Sequence, residues 1–250
     1  MSNSSAIRIG IGGWVFPPWR GAFYPAGLPQ SQELAHASRH LTAIEINGTF
    51  YNSGRPESFR KWRNETPDSF MFSVKGPRFV THRKELATAK DALDLFFSRG
   101  VLELGDKLGP VLWQFAPFKT FDEGDFAAFL DLLPRDIDGR QIRHVVEVRH
   151  PSFRTPAFAD LLRRRGVAVA SVHDEKFPAF DDVTADFAYL RLRRCSEGEP
   201  TGYPETELDQ WAEHARGHAA EGRDVFLYFI NGAKVRAPAA AQALIQRLGA

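Results

Sequence analysis

The sequence predicts an α/β protein, and more specifically a (β/α)8 barrel of the TIM type in which the helix after strand six is short or missing. Eight short apolar runs with strand character occur in 250 residues, and helical patterns separate most successive runs. Nearly every run stops on a polar residue, which is typical of parallel strands whose carboxyl ends face a ligand site. An open dinucleotide-binding sheet is disfavoured, because Trp14 and Pro17-Pro18 follow Gly10-Ile11-Gly12-Gly13 where a helix would have to begin.

The elements follow in order from apolar periodicity and from helix-starting residues. Strands are predicted over residues 7–12, 43–47, 70–75, 111–114, 145–149, 167–172, 187–192 and 225–231. Helices are predicted through 33–37, from Pro56 through Trp62, over 84–104, through 126–130, 159–163 and 208–215, and over 239–248. Pro56 suits the first helical position, where its missing N–H costs nothing. Between His173 and Phe187 there is room for a loop but hardly for a crossover helix, so the sixth unit is expected to lack one.

Composition sets broad limits on the protein. With 43% hydrophobic and 25% charged residues, the chain has the make-up of a globular protein, and we expect a single barrel domain over residues 1–250. Its net charge of +1 gives no general reason to invoke nucleic acid or an anionic membrane. Cys195 is the only cysteine, so no intramolecular disulfide can form, and no apolar stretch approaches the roughly 20 residues that cross a bilayer. We therefore expect a cytoplasmic protein without membrane partners.

Long, ordered motifs make the chain resemble a known family. The longest are Trp19-Arg20-Gly21-Ala22-Phe23-Tyr24-Pro25, Glu45-Ile46-Asn47-Gly48-Thr49-Phe50-Tyr51, Leu108-Gly109-Pro110-Val111-Leu112-Trp113-Gln114 and Glu147-Val148-Arg149-His150-Pro151-Ser152-Phe153. Together they span almost the whole chain and resemble the YecE-like family, also called domain of unknown function 72. The resemblance implies a TIM-type barrel and an activity that is unassigned.

Three departures from the family pattern lie near the predicted strand ends. After Tyr189-x-Arg191 the family usually has His and then Gly, where this chain has Arg193-Arg194. The Asn-Asn-Asp pattern that ends the last strand is reduced to Ile230-Asn231-Gly232, and the family's Asn in the final helix is not evident. A mechanism that required the imidazole or the final Asp is therefore not expected in this protein.

Charged strand ends are the candidate catalytic groups. Glu45 and Glu147 lie near the ends of non-neighbouring strands, and Lys75 ends one of the two strands between them. Two carboxylates that face one cavity can act as acid and base, or as base and nucleophile. We expect Glu45 to be the proton donor and Arg149 to keep Glu147 ionised. These residues predict a hydrolase or lyase of a phosphorylated or sugar-like substrate.

Other polar and aromatic side chains at the same end are candidates for substrate binding. They are Trp14, Trp19, Asn47, Tyr51, Gln114, Arg149, Asp174, Arg191 and Asn231. Arginine forks and a lysine point charge suit a phosphate, a carboxylate or a sugar acid, so the expected partner is a small anionic or sugar-like molecule. The basic surface is too small for a duplex, although a nucleic-acid end or a single nucleotide remains open.

Structural explanations compete with these assignments. Glu147 and Arg149 share one strand face and could simply pair with each other, while Trp14 and Trp19 could pack rather than bind. The polar mouth could bind a ligand without catalysis, which is the first alternative function. A divalent-metal-dependent isomerase or nuclease using His173 and Asp174 is the second, although their spacing is not diagnostic and we predict neither a metal site nor a cofactor.

Overall fold

The computed structural model describes residues 5–52 and 54–249, and its centre is a closed barrel of eight parallel strands. The strands are β1 Ile7–Gly12, β2 Ala43–Ile46, β3 Met71–Lys75, β4 Leu108–Gln114, β5 His144–Glu147, β6 Ala168–His173, β7 Phe187–Leu192 and β8 Asp224–Phe229. Each strand pairs with its neighbours in sequence, and β8 pairs with β1 to close the barrel. The predicted (β/α)8 fold is confirmed.

Helices lie around the barrel in the expected order. They are α1 Glu33–His40, α2 Pro56–Asn64, α3 Arg78–Thr81, α4 Lys90–Ser98, α5 Glu123–Leu132, α6 Pro156–Arg165, α7 Glu205–Ala220 and α8 Ala237–Leu248. Residues 174–186, between β6 and β7, contain no helix, which confirms the predicted gap in the sixth unit. A short hairpin of Asp136–Ile137 and Arg140–Gln141 precedes β5. No helix within the described residues is long and apolar enough to cross a membrane.

One helix is shorter than the sequence predicts. The expected helix over 84–104 is represented by α4, which is followed by a 3-10 segment, Val101–Lys107. Gly100 has a φ of 97°, in the left-handed region that glycine adopts without strain, and it ends the helical path after α4. The apolar periodicity continues through the 3-10 segment because Val101 and Leu104 are also buried.

Alternation along the strands divides the buried side chains into two layers. One set packs between the strands and the helices, as Trp113 does against Phe96 and Phe129. The other set points into the barrel and includes Leu112, Val145, Tyr189, Phe226 and Tyr228. Because side chains alternate along a strand, residues two positions after an interior apolar residue also point inward, at the carboxyl ends of the strands. The alternation therefore places charged residues near the strand ends inside the barrel, at its carboxyl-terminal end.

Candidate functional site

A buried ion network closes the carboxyl end of the barrel interior. Arg191, near the end of β7, donates to both oxygens of Glu45 on β2, with Nη2–Oε1 and Nε–Oε2 distances of 2.9 and 3.0 Å. Its Nη1 also contacts Glu147 Oε2 and lies 3.3 Å from Gln114 Oε1. The Tyr189 hydroxyl donates to Glu45 Oε2 at 2.8 Å. One guanidinium therefore joins the carboxylates of two different strands.

Glu147 is held from a second side by Arg149. Arg149 Nε and Nη2 lie 2.7 and 2.6 Å from Glu147 Oε1. Burial alone would raise the pKa of Glu147, but the charges of Arg191, Arg149 and Arg193 lower it to about 2. Burial would likewise lower the pKa of Arg191, yet Glu147 and Glu45 raise it above its ordinary range. Both groups are therefore ionised at neutral pH.

This network corrects the expected division of labour between the two carboxylates. Glu45 and Glu147 are 0% and 1% exposed, and every carboxylate oxygen of the pair already accepts from Arg191, Arg149 or Tyr189. A carboxylate bound in this way has no free oxygen for a substrate proton or for attack on a substrate. Glu45 is thus not placed as a proton donor, and the pairing of Glu147 with Arg149 matches the structural alternative.

Above the network lies a cavity of about 300 Å³ at the mouth of the barrel. Eight of the sequence-predicted site residues line it: Trp19, Asn47, Tyr51, Lys75, Gln114, Arg149, Arg191 and Asn231. Glu45 and Glu147 lie beneath it, bound to its arginines. Asp174 lies beside it, with Oδ2 3.2 Å from Arg193 Nε. The strand-end residues are thus brought together, whereas the carboxylates lie behind the cations.

The aromatic residues of the first loop have different places. Trp14 does not line the cavity; it packs edge-on against Trp62 and Phe72, with ring centroids 5.0 and 6.4 Å away. Trp19 is fully buried in the cavity wall, and its Nε1 donates to the backbone oxygen of Lys234 at 2.9 Å. Tyr51 is 74% exposed at the rim. Of the three aromatic residues predicted to bind substrate, Tyr51 is the one that is largely exposed, and the Arg78 guanidinium carbon lies 5.8 Å from its ring centroid.

Lys75 occupies an unusual position at the end of β3. Lys75 is 8% exposed and lines the cavity. Its Nζ atom lies 4.1 Å from the centroid of the Phe50 ring. Among the described residues no carboxylate lies within 4 Å of Nζ, and no side chain or backbone oxygen accepts a hydrogen bond from it. Burial, followed by the charge of Arg191, lowers the pKa of Lys75 to about 8, although Glu45 and Glu147 act in the opposite direction.

Neighbouring residues hold the backbone of Lys75 in place. Thr49 Oγ1 donates to the Lys75 carbonyl at 2.7 Å, and the amide of Gly76 donates to Leu112 O at 2.8 Å. A Cβ at position 76 would lie 2.3 Å from the Trp113 ring, so only glycine fits there. Thr49 and Phe50 belong to the motif that carried the family resemblance, and in the structure they position Lys75.

Two cationic cavity residues are absent from the sequence-based assignment. Arg193 lines the cavity where the family pattern has His. In the described part of the chain its buried Nη1 atom has no hydrogen-bond acceptor, while its Nε atom is ion-paired with Asp174 Oδ2 at 3.2 Å without a hydrogen bond. Lys234 follows β8, with Nζ 4.8 Å from the Phe16 ring centroid. The basic run at 193–194 signalled the first of these residues, but Lys234 gave no signal because it lies in a loop beyond the strand end.

The loop after β8 completes the cavity wall. Asn231 has a φ of 65°, a left-handed conformation in which Asn is among the commoner non-glycine residues. Ala233 N donates to Cys195 O at 2.6 Å, which joins this loop to the one after β7. Within residues 5–52 and 54–249, no group of three or more His, Cys, Asp or Glu side chains is arranged to hold a metal ion.

The family model described as "Protein of unknown function DUF72" matches residues 8–250 of the chain. The chain belongs to this family. It is 31% identical over 164 residues to the UPF0759 protein YecE of Escherichia coli strain K12, covering 64% of this chain and 55% of that protein. The chain thus matches about half the length of that relative.

Two further comparisons cover most of the chain. The UPF0759 protein YunF of Bacillus subtilis strain 168 is 24% identical over 257 residues, covering 90% of this chain and 88% of that protein. A crystal structure of a DUF72 family protein from Thermotoga maritima MSB8 superimposes with a TM-score of 0.78 at 25% identity, covering 98% of both chains. The resemblance noted from the motifs is therefore confirmed, and it carries the barrel fold with it.

Proposed function

We propose that the mouth of the barrel binds a small organic anion carrying a phosphate or carboxylate group, and that the protein acts on this anion as an enzyme of the lyase type. The carrying observation is Arg193: its buried Nη1 atom has no acceptor among the described residues, and its Nε atom lies 3.2 Å from Asp174 Oδ2 as an ion pair without a hydrogen bond. Buried guanidinium donors are normally hydrogen-bonded, and an anion in the cavity would supply the missing acceptors.

The balance of charge supports an anionic ligand. In the part of the chain that the structure describes, five cationic side chains line the cavity: Lys75, Arg149, Arg191, Arg193 and Lys234. Three carboxylates pair with them, Glu45, Glu147 and Asp174, and all three lie behind or beside the cavity. A cavity of about 300 Å³ holds a small molecule rather than a polymer.

The arrangement favours a lyase over a hydrolase. Hydrolysis by a pair of carboxylates requires one to donate a proton while the other activates water or attacks the substrate. Arginine and tyrosine donors already occupy the oxygens of both Glu45 and Glu147. The reactive groups that remain in the cavity are the amines of Lys75 and Lys234, and an amine suits bond cleavage next to a carbonyl group better than hydrolysis.

Calorimetric titration tests the binding step. Inorganic phosphate and glycerol 3-phosphate are titrated into the wild type, Arg193→Met and Arg194→Met at low and high salt. Arg194 pairs with the exposed Glu175 at 3.0 Å and does not line the cavity, so it is the matched control. We expect saturable binding that weakens with salt, falls about tenfold or more in Arg193→Met, and stays unchanged in Arg194→Met.

Two results would overturn the proposal. Wild-type protein that shows no saturable binding of either anion has no anion site at the mouth. Equal binding by Arg193→Met and the wild type would place the anion elsewhere. If the anions bind but incubation with phosphorylated and carboxylated carbonyl compounds yields no product, the non-catalytic binding barrel replaces the enzyme.

A further inference from the structure

We infer that Lys75 forms an imine with the carbonyl group of the bound anion, so that the substrate class is a small carbonyl compound bearing a carboxylate or phosphate. The inference rests on the proposed anion site and adds the reacting group. Three features of Lys75 carry it: the absence of a partner, a position facing the cavity, and a rigid backbone.

The absence of a partner distinguishes Lys75 from Lys107, the other buried lysine among the described residues. Lys107 is also buried, but its Nζ donates to the backbone oxygens of Arg63 and Thr66, both at 2.6 Å. Lys75 is 8% exposed and has no acceptor or carboxylate within reach among the described residues, while its Nζ stands over the Phe50 ring. A structural lysine would be hydrogen-bonded as Lys107 is.

The surroundings make the amine nucleophilic. A buried lysine beside other cations loses its proton more readily than an exposed one, and only the neutral amine attacks a carbonyl carbon. Burial and the charge of Arg191 act in this direction on Lys75, and the lowered pKa leaves a useful fraction of neutral amine near pH 7. The Phe50 ring lies over the Lys75 amine, and the residue is 8% exposed, so water reaches the amine mainly from the cavity.

The cavity can orient a carbonyl anion toward Lys75. The guanidinium carbons of Arg149 and Arg193 lie 4.6 and 5.4 Å from the centroid of the Phe177 ring. Both guanidiniums therefore contact the same ring and lie on the same side of the mouth. An anionic group bound by Arg193 would leave the other end of the molecule for the cavity floor, where Lys75 and Gln114 lie. Guanidinium forks fix the orientation of carboxylate and phosphate groups.

The chemical step balances without a further reactant. The Lys75 ammonium releases a proton to solvent, and the neutral nitrogen bonds to the carbonyl carbon while the C=O π pair moves to oxygen. That oxygen takes one proton from the nitrogen and one from solvent, the C–O bond breaks, and water leaves. The product is a protonated imine, so one ammonium and one carbonyl give one iminium and one water. The iminium can then accept electrons from a bond adjacent to the former carbonyl carbon.

Lys234 is the competing amine. It also lines the cavity, but it is only half-buried and its Nζ lies against Phe16 and Trp19 at 4.8 and 5.4 Å from the ring centroids. It belongs to a 3-10 segment of three residues rather than to a barrel strand. Lys75 is therefore the better-positioned nucleophile.

Borohydride trapping tests the inference. Full-length protein is incubated with pyruvate or with dihydroxyacetone phosphate, treated with sodium cyanoborohydride, and mapped by peptide mass spectrometry. We expect a reduced adduct on Lys75, no adduct at position 75 in Lys75→Arg, and an adduct that still maps to Lys75 in Lys234→Arg, whatever its yield. Lys61→Arg, exposed on α2 and outside the cavity, should leave the yield at Lys75 unchanged. An excess of inorganic phosphate should suppress wild-type trapping several-fold.

The experiment separates the two proposals. Lys75→Arg removes the amine and should abolish trapping at position 75, while phosphate binding is measured on the wild-type protein in parallel. If phosphate binds but neither carbonyl compound gives an adduct on Lys75, the imine is wrong and the anion site stands. An adduct found on Lys234 or on surface lysines, and not on Lys75, also overturns the proposed imine at Lys75. Absence of phosphate binding instead rejects the proposed function.

Discussion

Arg191 and Glu45, 146 positions apart in sequence, form a two-pronged ion pair inside the barrel, with N–O distances of 2.9 and 3.0 Å. They are 2% and 0% exposed, so the pair is almost completely removed from water. A buried charge that loses its partner is costly, because the remaining ion is neither hydrated nor neutralised. Arg191 therefore stabilises the strands that carry the cavity as well as lining it.

Replacing Arg191 with Met should destabilise the protein by about 3–5 kcal/mol, since Glu45 and Glu147 would remain buried without their shared cation. Tyr189→Phe removes only one hydrogen bond to Glu45 and should cost about 1–3 kcal/mol. Chemical denaturation measures both values. A loss below about 1 kcal/mol in Arg191→Met would show that the network is not a main stabilising feature.

The sequence was sufficient for the position of the site but not for its chemistry. Polar residues that end apolar runs predicted the barrel mouth, because the carboxyl ends of parallel strands meet there. Which side chains pair across the barrel interior depends on how the strands are arranged around the barrel. Tyr189 and Arg191 lie on β7, yet both donate to Glu45 on β2. The sequence therefore predicted Glu45 as a proton donor without an ion-pair partner, whereas the structure pairs it with Arg191.

The misplaced helix boundary has a different cause. Apolar periodicity over 84–104 favours one long helix, because Leu93, Phe97, Val101 and Leu104 all point to the core. Gly100 divides this region by adopting a left-handed conformation, and the chain continues as a 3-10 segment with the same buried face. Periodicity reports which face is buried, whereas helix ends depend on single residues.

Glu147→Gln should destabilise the protein at pH 7 by about 2–4 kcal/mol, because Arg149 loses its charged partner and Arg191 loses one of its two. The pKa of Glu147 is lowered to about 2 from an ordinary value of 4.5. The wild type therefore keeps this stabilisation above about pH 4.5 and loses it as the pH falls toward 2, so the difference from Glu147→Gln should narrow over that range.

Denaturation of both proteins between pH 2 and pH 7 checks this expectation. Glu57→Gln is the matched control, because Glu57 is exposed on α2 and its one ion pair within residues 5–52 and 54–249 is with the exposed Arg60. The control should follow the wild type within about 0.5 kcal/mol throughout. A gap between wild type and Glu147→Gln that stays constant with pH would contradict the ionised network.

Trp14 and Tyr51, both expected at the mouth from sequence, should behave differently on truncation. Trp14→Ala removes the edge-on packing against Trp62 and Phe72 and should cost about 2–4 kcal/mol of stability. Tyr51→Ala removes a ring that is 74% exposed and should change stability by less than about 1 kcal/mol. Thermal and chemical denaturation of the two variants make the comparison, and equal losses would contradict the packing role of Trp14.

Lys75→Met should be more stable than the wild type at pH 7, by on the order of 2 kcal/mol, because the folded wild type carries a buried, unpaired charge. The folded protein holds the Lys75 proton only below about pH 8, whereas the ordinary value of 10.5 applies to the unfolded chain. Between these values the unfolded state binds more protons, so the wild type gains stability as the pH rises. Met at position 75 does not titrate, and the stability advantage of Lys75→Met should shrink from pH 8 toward pH 10.

Lys61→Met, on the exposed face of α2, serves as the control and should stay within about 0.5 kcal/mol of the wild type at every pH. If Lys75→Met is less stable than the wild type at pH 7, and its deficit does not depend on pH, then Lys75 is a structural cation and not an amine held ready for reaction.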